Sequence, residues 1–81
     1  MNIKKRFYLT FPKKLVDQPV LFQLGHKFNV ITNIKGASVS KGTGLVALEL
    51  SAEKEELDRA IEWLVSLGIS AEEMKEKKQK N

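Results

Sequence analysis

Hydrophobic side chains recur at every second position near the start of the chain, with polar or amphipathic side chains between them. The two sets are Phe7, Leu9 and Phe11 on one side, and Arg6, Tyr8 and Thr10 on the other. This period of two is typical of a strand with one buried face. Pro12 follows and lacks the backbone N–H that would continue a ladder. The pattern predicts a first strand over residues 3–11 and a loop over 13–16.

The spacing of apolar residues changes to a helical period after Asp17. The residues on the apolar face are Val20, Leu21, Leu24 and Phe28. They predict a helix over 17–28, with Asp17 as its N-cap and Pro19 in its first turn. Gly25 lies in the middle of this helix, where it costs about 1 kcal/mol relative to alanine. We therefore expect a close approach of the helix to a sheet at Gly25.

Two further apolar stretches, 30–39 and 45–50, are separated by residues typical of turns. The separating sequence is Ser40-Lys41-Gly42-Thr43-Gly44, which predicts that the two stretches are strands of a hairpin.

A second helical pattern follows, with Ser51 as a candidate N-cap and Gly68 at the position of a left-handed C-cap. Its apolar face consists of Leu57, Ala60, Ile61, Leu64 and Val65. Residues 69–73 then predict a short last strand.

The predicted order β-α-β-β-α-β indicates an α+β, ferredoxin-like fold with a four-stranded antiparallel sheet. Right-handed crossovers place both helices on one face, the first and third strands in the centre, and the second and fourth at the edges. The other face of the sheet is left open. It is predicted to carry Arg6, Tyr8, Thr10, Ile31, Asn33, Lys35, Leu45, Ala47 and Glu49.

The composition indicates one small domain over residues 1–74 and a basic, solvated tail over 75–81. The tail holds four lysines and one glutamate, so it carries +3 of the net charge of +4. The remaining residues are nearly neutral. No run approaches the roughly 20 apolar residues of a membrane span, so we predict a cytoplasmic protein with no membrane segment.

No set of residues in the sequence is typical of catalysis, and we predict that the chain is not an enzyme. The absence of cysteine excludes disulfides, iron–sulfur clusters and thiolate zinc sites. His26 is the only histidine, so it has no cysteine or second histidine with which to build a metal site. The serines have no histidine placed for a triad. No phosphate-binding glycine loop is present. We predict no metal and no cofactor.

One stretch partly matches the third-strand signature of RNA-recognition domains. Residues 41–48 have its basic and glycine positions, and Tyr8 lies near the middle of the first strand. The positions that should hold rings for base stacking are Thr43, Leu45 and Leu48 instead. Nucleic-acid binding is therefore the third of the function hypotheses.

The second strand combines an exposed edge with polar groups that match a free amino acid. An edge strand has unpaired N–H and C=O groups and can pair with a second copy of itself. Asn33 offers a donor and an acceptor, and Lys35 a cation. A dimer could form a zwitterion pocket here, lined by Ile31, Ile34 and Leu45. The alternative is that Asn33 and Lys35 only keep the edge soluble.

An ordered set of short segments resembles the NIL domain family across roughly residues 5–73. The segments are Tyr8-Leu9-Thr10-Phe11-Pro12, Gln18-Pro19-Val20, Lys27-Phe28-Asn29-Val30-Ile31-Thr32-Asn33-Ile34, Gly44 with Leu45-Val46-Ala47-Leu48-Glu49-Leu50, and Ala60-Ile61-Glu62-Trp63-Leu64 with Gly68-Ile69. The triplet that names the family, Asn-Ile-Leu, is present as Asn33-Ile34-Lys35, so a lysine replaces the leucine.

The resemblance implies a ferredoxin-like regulatory domain that pairs through its sheet. In methionine ABC importers such a domain follows the ATPase and binds methionine to inhibit transport, and other members precede ferredoxin modules. Neither an ATPase nor a ferredoxin module is present in this sequence. We therefore expect a homodimeric amino-acid-binding module, with Thr32, Asn33 and Tyr8 in the dimer interface and a transporter ATPase or ferredoxin-type chain as a partner. The rival hypothesis is a protein–protein adaptor without a small ligand.

Overall fold

The computed structural model describes residues 2–74, which form four strands and three helices. The elements in chain order are β1 (Ile3–Phe11), α1 (Lys13–Val16), α2 (Val20–Lys27), β2 (Ile31–Ser40), β3 (Thr43–Ala52), α3 (Lys54–Ser66) and β4 (Ser70–Met74). The predicted basic tail, 75–81, lies outside the described residues.

The four strands form one antiparallel sheet in the order β2-β3-β1-β4. The predicted ferredoxin-like α+β fold is thereby confirmed, with the first and third strands in the centre and β2 and β4 at the edges. The hairpin between β2 and β3 turns at two residues only, Lys41 and Gly42. Both have positive φ, 52° and 81°, as a type I′ turn requires.

The core lies between the sheet and the helices, and every buried side chain among the described residues is apolar. The largest fully buried side chains are Leu9, Leu24, Leu48, Leu50, Leu57, Leu64 and Ile69. They come from β1, β3, α2, α3 and the segment that leads into β4. Complete burial of one leucine stabilises the fold by about 2 kcal/mol, so this layer fixes α2 and α3 on the same face of the sheet.

The helices differ from the prediction at three points. Residues 13–16 form the short helix α1 and not a loop, because the carbonyl of Pro12 accepts from the N–H of Leu15 at 2.9 Å and closes a turn. Asp17 is consequently the C-cap of α1, and α2 begins after Pro19 without a side-chain cap. Ser51 is not an N-cap, since β3 continues to Ala52.

The C-terminus of α3 matches the prediction at Gly68, whose φ is +97°. The N–H of Gly68 donates to the carbonyl of Val65, and the N–H of Ile69 donates to that of Leu64. This pair of bonds defines a Schellman motif, and it turns the chain so that Ile69 enters the core. The expectation for Gly25 is wrong, because a Cβ at that exposed position would have no neighbour within 4 Å.

Candidate functional site

One row of polar side chains crosses the open face of the sheet. In the strand register, Arg6 of β1 lies opposite Glu49 of β3, and Glu49 lies opposite Asn33 of β2. Neighbouring strands are about 4.8 Å apart and opposed residues share a face. The three side chains therefore form a continuous line that carries a guanidinium, a carboxylate and an amide.

Glu49 is the electrostatic centre of this row. Arg6 Nε donates to Glu49 Oε2 at 3.3 Å. Desolvation by its surroundings raises the pKa of the Glu49 carboxyl, but the hydrogen bond from Arg6 and the charges of Lys35, Lys4 and Arg6 together outweigh it. The pKa of Glu49 is consequently lowered from its usual value. The carboxylate is thus held ionised within a group of cations.

A β-bulge in β2 brings Lys35 to this cluster. Ile34 lies opposite Leu48 and Gly36 lies opposite Ala47, so Lys35 is the additional residue between them. In a bulge two residues oppose one on the partner strand. The charge of Lys35 helps to lower the pKa of Glu49, so Lys35 contributes to the electrostatics of the row.

The structure brings together only some of the residues predicted for the ligand site. Ile31, 66% exposed, and Asn33 lie on the open face with Lys35 beside them. Ile34 is opposite the buried Leu48 and so belongs to the helix-facing side, where it remains 54% exposed. Leu45 lies four positions along β3 from Glu49, about 13 Å from the row of Asn33. The predicted lining by Ile34 and Leu45 is therefore not assembled within one chain.

The predicted interface residues are also divided between the two faces. Tyr8 is exposed on the open face, opposite Ala47 and one row away from Arg6. Thr32 lies opposite the buried Leu50 and directs its side chain toward the helices. In an edge-to-edge dimer the side chain of Thr32 would therefore meet the partner strand on the helix side and not on the open face.

Sequence reasoning missed Arg6 and Glu49 as site residues. Alternation placed both on the open face, yet the register that sets Arg6 beside Glu49 and Glu49 beside Asn33 depends on pairing between distant segments. The alternation of the strands therefore showed which face these residues share, but it could not show that they are neighbours.

Among residues 2–74, no group of three or more histidine and acidic side chains could hold a metal ion. No helix of this described part is long and apolar enough to cross a membrane. Within the same residues, Tyr8 is the only aromatic side chain on the open face. Phe7 and Phe11 are buried toward the helices. Bases would therefore find a single ring on which to stack.

The sequence matches the model of a known protein family. That family is described as NIL domain, and the match covers residues 5–73. The chain belongs to the NIL domain family. The match begins in β1 and ends in β4, so it includes both central strands, the edge strand β2 and the row that contains Asn33. The resemblance noted from the sequence is thereby confirmed.

Solved structures show the same fold. The crystal structure of the C-terminal domain of an ABC transporter ATP-binding protein from Enterococcus faecalis is 21% identical, with a TM-score of 0.77. The match covers 90% of this chain and 86% of that one. The de novo designed protein Foldit4 is 11% identical, with a TM-score of 0.60, and 95% and 100% of the two chains are covered. A comparison with curated proteins found no match. These likenesses show the fold of the chain, and the family model shows its membership.

Proposed function

We propose that this NIL domain is a non-enzymatic regulatory module that binds a free amino acid, with methionine as the first candidate. The observation that carries the proposal is the row of Arg6, Glu49 and Asn33 at the exposed edge of the sheet. Family membership supports the regulatory role. The row supports the class of ligand, because it offers both signs of charge and an amide.

The chemistry of the row matches the backbone of an amino acid. Arg6 and Lys35 can each bind an α-carboxylate, and the guanidinium can do so with two parallel hydrogen bonds. Glu49 can accept from an α-ammonium, and the side-chain oxygen of Asn33 can accept from it as well. Ile31, one row away on the same face, offers apolar surface to a ligand side chain.

A second copy of the chain would complete the site. In the part of the chain that the structure describes, the outer edge of β2 is unpaired. A partner strand at Thr32 and Asn33 would shield the row from water. Shielding strengthens its charged hydrogen bonds, because the local dielectric constant falls. Leu45 could line the ligand site only if the open faces of two copies were in contact. Tyr8 would then lie in the same interface.

The proposal has two further parts. We place the module in the cytoplasm, where a transporter ATPase or a ferredoxin-type chain would receive its signal. A pure adaptor remains the second candidate, because Ile31, Tyr8 and Leu45 are large apolar side chains exposed on one face, and a partner protein could cover them without any ligand.

An NMR titration of backbone amides with methionine tests the proposal, after the protein has been sized in solution. We expect saturable shifts at residues 30–36 and 47–50 in a dimer. Asn33→Ala and Glu49→Gln should each weaken binding by about tenfold or more, since each removes a charged or bidentate hydrogen bond. Thr10→Ala, on the same face in another row, is the matched control and should bind as the parent does. If the protein dimerises but neither methionine nor a panel of other amino acids shifts any amide resonance, the ligand-binding proposal is contradicted. The adaptor function is then favoured.

A further inference from the structure

A second candidate site lies on the opposite face of the sheet, between β2 and the start of α2. An open cavity of about 230 Å³ is formed here. Its apolar walls include Val20, Leu21, Phe22, Ala37, Val39 and Val46. Engineered apolar cavities of about 150 Å³ bind small hydrocarbons, whereas sites for drug-sized ligands start at about 300 Å³. The volume therefore fits one or two aliphatic side chains better than a cofactor.

The cavity exists because the hairpin extends beyond the helix that should cover it. The β2 strand has ten residues and α2 has eight, and a strand residue advances the chain about twice as far as a helical one. Val39 and Phe22 consequently remain 65% and 66% exposed although both face the cavity. Exposed apolar side chains that converge on one concave surface are typical of binding sites.

The outer edge of β2 runs along this cavity. No strand within residues 2–74 pairs with this edge, so alternate residues of 36–40 direct their N–H and C=O groups outward. Lys35 at the bulge divides this half of the edge from the half that contains Asn33. An added strand would place the side chains opposite Ala37 and Val39 on the helix side, toward the cavity. The side chain opposite Ser38 would point to the open face.

The charge around the cavity selects the composition of such a strand. The two segments that form it, 11–22 and 35–46, contain four lysines and a single acidic residue, Asp17. Lys13 lies against the hairpin turn, since a Cβ on Gly42 would meet its Cδ and Cγ at 3.3 Å. Lys13 and Lys41 therefore lie at the turn end of the apolar site. Lys35 lies at its bulge end, and its charge also acts on Glu49 of the open face.

We propose that this site binds an extended segment of a partner protein by strand addition to β2. The segment places two aliphatic side chains, two positions apart, in the cavity, and acidic residues flank them. Backbone hydrogen bonds to 36–40 supply part of the affinity, and the cavity selects the side chains. The site is separate from the row of Arg6, Glu49 and Asn33 and does not depend on an amino-acid ligand.

The probe is an acetylated, amidated peptide of sequence Glu-Asp-Leu-Thr-Ile-Thr-Asp-Glu, titrated into the full chain and followed by amide NMR. We expect saturable shifts at residues 20–22 and 36–40. Val39→Glu should weaken binding by about tenfold or more, because it places a carboxylate at an apolar wall facing an acidic peptide. Thr43→Glu adds the same charge at the same end of the sheet but on the open face, and should change the affinity far less. Unfolding curves confirm that both variants are folded.

Backbone N-methylation of the peptide distinguishes strand addition from nonspecific hydrophobic contact. Methylating one alternate set of peptide nitrogens should abolish binding, and methylating the other set should leave it nearly intact, because only one set faces β2. A peptide in which lysines replace the acidic residues should bind more weakly. The proposal would be overturned if the two sets of methylated peptides bound equally well. It would also be overturned if Val39→Glu and Thr43→Glu changed the affinity equally, or if the peptide caused no saturable shift. A concentration-dependent protection of amides 36–40 by a second copy would overturn it as well.

The outcome is separable from that of the amino-acid proposal. Asn33→Ala removes a group of the open-face row and should leave peptide binding unchanged, whereas Val39→Glu should leave methionine binding unchanged. Either site can therefore fail without affecting the result at the other.

Discussion

Replacing either of two glycines with alanine should change the stability of the domain in opposite directions. A Cβ would have no neighbour within 4 Å at Gly25 or at Gly68, so steric space is the same for both. Gly25 lies inside α2, where alanine is favoured over glycine by about 1 kcal/mol. Gly68 has a φ of +97°, a conformation that costs an alanine about 1–2 kcal/mol. The two variants should therefore differ by about 2–3 kcal/mol in their free energy of unfolding.

Urea unfolding at neutral pH, followed by circular dichroism, measures both variants against the parent. Thermal unfolding gives a second measurement, because 1 kcal/mol corresponds to a change in Tm of about 4–8 °C for a domain of this size. The difference between the two variants is therefore easily resolved. Equal slopes against urea would show that the unfolded states are comparable. If Gly25→Ala destabilised the protein, the exposed surface of α2 would have to be covered by another copy or partner. If Gly68→Ala were neutral, the Schellman turn would not govern the end of α3.

Four further substitutions test the stability of the fold. Lys41→Asn should stabilise the hairpin by about 0.5–1 kcal/mol in urea unfolding, because asparagine tolerates the positive φ of a type I′ turn better than lysine. Leu48→Ala should cost about 2–5 kcal/mol in the same assay, since Leu48 is fully buried. The N–H of Asn29 donates to Glu56 Oε2 at 2.8 Å and, with Arg59, lowers the pKa of Glu56 below 4.5 although desolvation opposes this. Stability from this carboxylate is present above pH 4.5 and is lost as the pH falls through the lowered pKa. Glu56→Gln should therefore flatten the acid limb of a stability–pH profile, and Arg59→Gln should flatten it less because the Asn29 bond remains.

Local patterns predicted most of the fold. The alternation of Phe7, Leu9 and Phe11 correctly located a central strand, and Gly68 correctly marked the end of α3. Two of the errors, at α1 and at the cap of α2, occurred where a few residues with no clear period follow Pro12. Such short elements are decided by what they pack against and not by their own propensity.

The sequence by itself determined the order of the four strands and the two longer helices, and the buried face of β1 and β3. These depend on periodicity and residue type, which are local. Only the tertiary structure decided which polar residues meet. Arg6, Glu49 and Asn33 are far apart in the chain, and their alignment follows from the strand register. The bulge at Lys35 changes the parity of β2, so that Val39 turns toward the helix side. One additional residue exchanges the two faces of a strand beyond that point. The alternation of apolar and polar residues in the sequence does not reveal such a bulge.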